Sequence, residues 1–283
     1  MRVQIHAKNG GQKLLDNPQK NSLFEKDLKI DFARCGIEPP DVFFYEKTDS
    51  TNTRAKLYAE NRGTDTLRPA VFFSHAQCAG RGTRGRSFES PVGGVYISFL
   101  LFPEKSAINS LALTTYAAVI VCRALMRISA RIDPKIKWVN DITVRDKKLS
   151  GILTEGKIED GVTKYAIVGI GINVRKADHT PEVKSIMTTL SDEGIEISED
   201  ELARVLAKEF FLAISDVGSD KILHEYKSLS AVIGRDVNVT DSTGTRCERV
   251  IDIDRDFSLI TCDVDKNTRR YISADVSVLP IKS

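Results

Sequence analysis

The run Val95-Tyr-Ile-Ser-Phe-Leu-Leu-Phe102 carries no charge over eight residues. A strand of that composition has no face suited to water, so it belongs inside a sheet that is buried on both faces. A long helix follows it. From about Ile108 to Ile128, Leu111, Thr115, Ala118, Cys122, Leu125 and Ile128 recur near helical spacing. At 283 residues the chain can hold one large domain and a small one, and can bury enough apolar surface to fold without staples.

The bulk numbers are those of a soluble globular protein: 41% hydrophobic, 28% charged, net charge +2. Such a balance argues against bulk nucleic-acid binding. The five cysteines (Cys35, Cys78, Cys122, Cys247, Cys262) show no CxxC spacing, and His6, His75, His179 and His224 are scattered. Neither a disulfide framework nor a zinc site is indicated, and a reducing cytosol fits best. The first residues lead into a polar stretch rather than a long apolar core, so no signal peptide is expected. The apolar runs fall short of the ~20 residues of a spanning helix, and no membrane is expected as partner.

Three units are expected along the chain. Residues 1–40 read as an N-terminal arm, anchored at most by Leu23, Phe24, Leu28 and Ile30 to Phe32. Residues 41–229 read as the main domain. Strands are predicted at 42–45, 71–74, 95–102, 135–138, 142–144, 151–154 and 165–168. Helices are predicted after Asp49 or Ser50 toward Gly63, over 108–128, from the capping box Ser198-Glu-Asp-Glu201 through Ile214, and over 221–227. From about Ser230 to residue 283 the texture changes to short alternating strands, at 237–240, 249–253, 258–262 and 270–273, enough for a small barrel.

Between two of these strands stands Gly80-Arg-Gly-Thr-Arg-Gly-Arg86, three glycines and three arginines without an acidic residue. Glycine lets backbone amides approach a ligand, and arginine offers a charged planar fork to carboxylate or phosphate oxygens. Alone, such a run is equally the composition of a solvated or RNA-binding loop. It is accompanied by Asp49-Ser-Thr-Asn52, Lys137-Trp-Val-Asn-Asp141, Lys147-Lys-Leu-Ser-Gly-Ile-Leu-Thr-Glu155 and Gly169-Ile-Gly-Ile-Asn173. In order, content and spacing these five segments, over about residues 41–230, resemble the catalytic domain of biotin protein ligases.

The resemblance implies an α+β fold: a mixed β-sheet with flanking helices, like class II aminoacyl-tRNA synthetases and the biotin–lipoate ligase catalytic domain, plus a small C-terminal SH3-like β-barrel. It implies activation of biotin by ATP as biotinyl-AMP, with Mg²⁺ accompanying the triphosphate, and transfer to a lysine of a biotin carboxyl carrier protein or domain. Carboxylate and triphosphate are both anions, so the site must neutralise them as they meet. Arg81, Arg84, Arg86, Lys137 and Lys148 carry the charge for that.

By the same resemblance Lys148 is the lysine at the biotin carboxylate and α-phosphate, the first catalytic candidate, with Arg81 beside it. Gly80, Arg81, Gly82 and Thr83 match the loop that closes over biotin. Ser50, Thr51, Asn52 and Gln77 match groups that read the ureido head, whose carbonyl and two N–H groups suit short polar partners. Gly151 and Gly169 are read as points of close backbone approach, as is Gly171. Arg84, Arg86, Phe88, Asn140, Lys148 and Asn173 match nucleotide-side positions, and Asp141 is the one candidate toward a hydrated metal. Thr83 departs from the resembled loop, which often has arginine there.

Plainer readings stand beside these. Lys147 and Lys148 fit a solvated hairpin tip, Phe88 a core residue, Trp138 a packed wall, Asp141 a turn, and each glycine a β-bulge. Cys78 is expected to be a small apolar loop anchor rather than a nucleophile. A lipoate or octanoate ligase or transferase of the same fold, and a non-catalytic biotin-responsive regulator, are the alternative functions. Only 48 residues precede Asp49, so no DNA-binding domain is expected; a homodimer is compatible with the sequence.

Overall fold

In a computed structural model, residues 18, 22–61, 68–103, 109–272 and 277–280 are described. Expectations touching His6, Gly63, Ile108 and Ser273 lie outside them. A seven-stranded mixed sheet forms the centre. Its strands are β1 (Asp41–Tyr45), β2 (Ala70–Ser74), β3 (Gly94–Leu101), β4 (Lys135–Lys137), β5 (Asp141–Val144), β6 (Lys147–Glu159) and β7 (Val162–Asn173), in the order β1-β2-β3-β7-β6-β5-β4. Only β1 and β2 run parallel; the remaining neighbours are antiparallel.

β3 is buried at every position, as its uncharged composition requires. The strands expected at 151–154 and 165–168 are the middles of the longest hairpin of the molecule, β6 and β7, closed at the Asp160-Gly161 turn where both residues have positive φ. Gly169 and Gly171 sit inside that ladder in regular register with Leu153 and Gly151. The irregularities fall instead near Leu149, where Ile142 pairs with Ser150 but Thr143 with Lys148, and between Lys157 and Ile158 in the outer half of the hairpin.

Residues 23–34 differ from the expected arm. They form helix α1 (Leu23–Arg34), whose first turn is capped by the Ser22 hydroxyl accepting from the Glu25 amide at 3.1 Å. Of the expected anchors, Phe24, Leu28 and Phe32 recur every fourth residue and are buried as one helical stripe, whereas Leu23 and Ile30 are exposed and anchor nothing. Phe24 packs on Phe73 of β2, ring centroids 4.5 Å apart.

Helix α2 (Thr51–Asn61) follows β1, and helix α3 (Ser110–Ile128) crosses the sheet. By length and hydropathy α3 passes for a membrane span, against the expectation from the apolar runs, but its apolar window is 78% buried inside the protein. It is a core helix. The short helix α4 (Pro181–Ile186) has no buried residue and leads into Met187, which pairs with Lys148, while α5 (Glu199–Leu212) and α6 (Asp220–Ser228) pack on α3. On α5, Ser198 caps the Glu201 amide as its sequence predicts, and Phe210 stacks on Phe99 of β3 at 3.9 Å between centroids.

The last segment is a separate five-stranded antiparallel sheet, β11-β10-β9-β8-β12, from β8 (Asp236–Asp241), β9 (Gly244–Ile253), β10 (Leu259–Cys262), β11 (Thr268–Tyr271) and β12 (Ser277–Pro280). It is seated on the larger unit by Phe257, whose carbonyl accepts from the Trp138 indole at 3.0 Å and whose ring meets Tyr226 edge-on.

Candidate active site

The loop between β2 and β3 folds back on itself. Gly82 donates to the Arg86 carbonyl at 2.7 Å and Phe88 to the Gly80 carbonyl at 2.9 Å, with a tight turn over Thr83–Gly85. Arg84 takes φ 59°, in the left-handed region. Gly80 has no room for a side chain: a Cβ there would stand 2.3 Å from the Phe88 carbonyl and 2.4 Å from the Ser90 hydroxyl. The loop is thereby closed at its base, while its arginines project.

Beneath it one pocket gathers Ser50, Thr51, Asn52, Gln77, Arg81, Gly82, Thr83, Arg86, Phe88, Asn140, Lys148, Gly151 and Gly169. Sequence reasoning missed further lining residues: Ser87, Tyr96, Ile152, Leu153 and Ile170. Of the aliphatic ones, Leu153 shares the face of Gly151 and Gly169 by strand alternation, whereas Ile152 and Ile170 alternate to the opposite face and belong to the buried core. Tyr96 carried no sequence signal; its hydroxyl donates to the Pro91 carbonyl at 2.8 Å, and burial raises its pKa.

One wall is polar and fully knitted. Gln77 Oε1 accepts from the Thr51 amide at 2.8 Å, and Gln77 Nε2 donates to the Ser90 hydroxyl at 2.9 Å. The Ser98 hydroxyl lies 2.7 Å from Thr51 Oγ1 and 2.6 Å from Asn52 Oδ1. Asn52 Nδ2 donates to Glu155 Oε2 at 2.8 Å. Gly169 makes this packing feasible, since a Cβ on it would be 2.1 Å from Asn52 Oδ1.

The opposite wall is cationic. Lys148 Nζ sits 2.6 Å from Asp141 Oδ1 and 5.6 Å from the centroid of the Phe88 ring. That ring lies against the bare Cα atoms of Gly151 and Gly171: a Cβ would meet it at 3.2 Å and 2.7 Å. So these glycines are sites of close approach, here to Phe88 and Asn52, and not bulges. Phe88 is half-buried over the pocket. Lys137 is pulled below the usual lysine range by burial, with the charges of Lys148 and Arg86 acting in the same direction and Asp141 against them.

Five candidates fall outside the lining, Lys137 of β4 among them. Gly80 shapes the loop base, and Arg84 sits in the exposed turn. Asn173 is buried behind Lys148, its amide directed at the Thr188 carbonyl at 3.3 Å. Asp141 faces Lys148. Asn140 lines the pocket but also spends its Nδ2 on the Ile152 carbonyl at 2.9 Å. Trp138 is buried against Phe257 and is a wall of the core. Cys78, expected as an apolar anchor, has an exposed thiol; its loop is held instead by its backbone amide on the Thr48 carbonyl at 2.9 Å. His75 is structural, placed 2.7 Å from Asp200 and 3.2 Å from Glu46.

No cluster of three or more His, Cys, Asp or Glu able to hold a metal occurs among the described residues. The three carboxylates that reach pocket residues, Asp49, Asp141 and Glu155, each face a cation. The donor set therefore does not fit a resident metal ion.

The mixed sheet with its Gly/Arg loop over a pocket that is polar on one side and cationic on the other falls largely within residues 44–173, and that stretch matches the model of the biotin/lipoate A/B protein ligase family. Over its length the chain is 28% identical to the bifunctional ligase/repressor BirA of Bacillus subtilis, covering 95% of this chain and 82% of that protein. It is 28% identical to the biotin–[acetyl-CoA-carboxylase] ligase of Mycobacterium tuberculosis over 83% of this chain and 86% of that one. The solved biotin protein ligase from Aquifex aeolicus in complex with biotin and ATP superposes with a TM-score of 0.71 at 25% identity, covering 85% of this chain and 99% of that chain.

Proposed function

We propose that the protein is a biotin–protein ligase that activates biotin with ATP as biotinyl-AMP and passes the acyl group to a lysine of a biotin carboxyl carrier domain. The observation that carries this reading is the placement of Lys148, Arg81 and Arg86 around one pocket whose far wall is the polar set Ser50, Thr51, Asn52 and Gln77. The polar wall suits a ureido ring, the Leu153 side chain and the Phe88 ring suit the apolar body of biotin, and the cations suit the carboxylate and the α-phosphate it attacks. Lys148 is positioned to leave Asp141 for those oxygens as charge develops on them. Mg²⁺ enters with the triphosphate.

In this reading residues 41–229 are the catalytic unit and 230–283 a small SH3-like unit, supported by the five short antiparallel strands. The protein works in the cytoplasm, as a ligase that does not bind DNA, whether single or paired as a homodimer. The test is incubation with biotin, Mg-ATP and a biotin carboxyl carrier domain. A biotinyl mass increase on one lysine of the carrier is expected, and no increase would overturn the proposal. Lipoate in place of biotin decides against the lipoate or octanoate alternative if it is not transferred.

A further inference from the structure

Glu155 lies at the end of the Lys147 to Glu155 segment and divides its carboxylate between two parts of the site. One oxygen is 2.5 Å from the Arg81 guanidinium at the start of the loop; the other accepts from Asn52 on α2 at 2.8 Å. From Asn52 the contacts continue through Ser98 and Thr51 to Gln77, then to Ser90, whose hydroxyl donates to the Phe88 carbonyl at 2.9 Å. Phe88 closes the other end of the loop on Gly80. The loop is thus fastened at both ends to one hydrogen-bonded band running under the pocket, and Glu155 is the single charged link in it.

Three physical consequences follow. Asn52 has its Nδ2 on Glu155 and its Oδ1 facing Ser98, so the carboxylate dictates which way round that amide stands. The Arg81 side chain is otherwise half-exposed and rich in rotamers, so fixing it in advance lowers the ordering cost of ligand binding. A pocket anion would also be disfavoured by a bare carboxylate, and pairing with Arg81 removes that repulsion.

We propose that Glu155 is a positioning residue that couples the arginine loop to the head-group wall, so that ligand affinity depends on Glu155 through Arg81. The proposal rests on the biotin-ligase reading for the identity of the ligand, but not for the coupling itself. A residue serving stability alone would lower the melting temperature without linking these two groups.

The test is a double-substitution cycle with Glu155→Gln and Arg81→Ala, read by calorimetric biotin binding without ATP and by tryptic cleavage at Arg84 and Arg86 without ligand. Glu155→Gln is expected to weaken biotin about tenfold and to speed loop cleavage by a similar factor, with both effects largely absent in the Arg81→Ala background. Equal effects of Glu155→Gln in both backgrounds, or none in either, would overturn the coupling. If Glu155→Gln fails to fold, Arg81→Ala in the otherwise native chain must speed cleavage at Arg86, and unchanged cleavage refutes the proposal. A native protein that does not bind biotin would instead sink the ligand assignment, while the cleavage readout still judges the coupling.

Discussion

Lys148 Nζ stands 2.6 Å from Asp141 Oδ1, a charge pair at the edge of the pocket that leaves the lysine one oxygen away from any anion entering it. Lys148→Ala is expected to cut adenylate formation roughly a hundredfold, about 3 kcal/mol of lost stabilisation at the transferring phosphorus. The partly exposed side chain should cost little stability. Pyrophosphate release from biotin and ATP near the native rate would show that Lys148 does not act on the α-phosphate.

Gly169→Ala places a methyl where Asn52 Oδ1 now sits, 2.1 Å away. The helix N-terminus must shift, at a cost of about 1–3 kcal/mol in stability, and the polar wall loses its register. Urea denaturation and biotin titration on the same preparation are the measurements. A variant with native stability and native affinity would mean that the wall yields freely at this point.

Thr83 is gripped by Arg86, which contacts its carbonyl at 3.3 Å and its hydroxyl at 3.1 Å. No charged fork is available from position 83, and a charge-assisted hydrogen bond contributes about 1.5–3 kcal/mol. Thr83→Arg should therefore slow release of biotinyl-AMP by roughly ten- to a hundredfold in the absence of acceptor. Equal release rates would make this departure from the resembled loop silent.

His75 is held above its ordinary value of 6.5, first by the hydrogen bond to Asp200, with Glu46 adding and burial opposing. A raised folded value means that the stabilisation is complete below the unfolded pKa and is lost as pH rises through the folded one. The melting temperature should fall from about pH 6 upward, by an amount equivalent to less than about 1 kcal/mol because both carboxylates are partly exposed. In His75→Gln that slope should flatten. A variant with the native slope would assign the titration to another group.

Strand positions in the first hundred residues follow from composition, because β3 and its neighbour β2 are buried along their length and admit only apolar or small residues. The hairpin β6–β7 extends beyond its legible middle because its outer half is solvated: Lys157, Glu159 and Lys164 show no apolar period, and pairing alone defines them. Helix α1 was obscured by the charged residues between Phe24, Leu28 and Phe32. In the pocket, Ser50, Gln77 and Lys148 were named by the family resemblance, and the fold brings them to one lining. Glu155, Ser98 and Tyr96 were not, since their role arises from strands brought together by β3 and β7, far apart in sequence.

The Trp138 indole N–H donates to the Phe257 carbonyl across the junction of the two sheets. Trp138 is two residues from Asn140 and three from Asp141, so the C-terminal sheet braces the back of the segment that carries Asn140 into the pocket lining. Trimming the chain after α6 would leave an indole N–H without its acceptor and uncover Tyr226 and Trp138 together. Shortened versions made for crystallography or for labelling tools should therefore keep the final sheet, and a graft that moves the pocket to another scaffold must carry Phe257 with it.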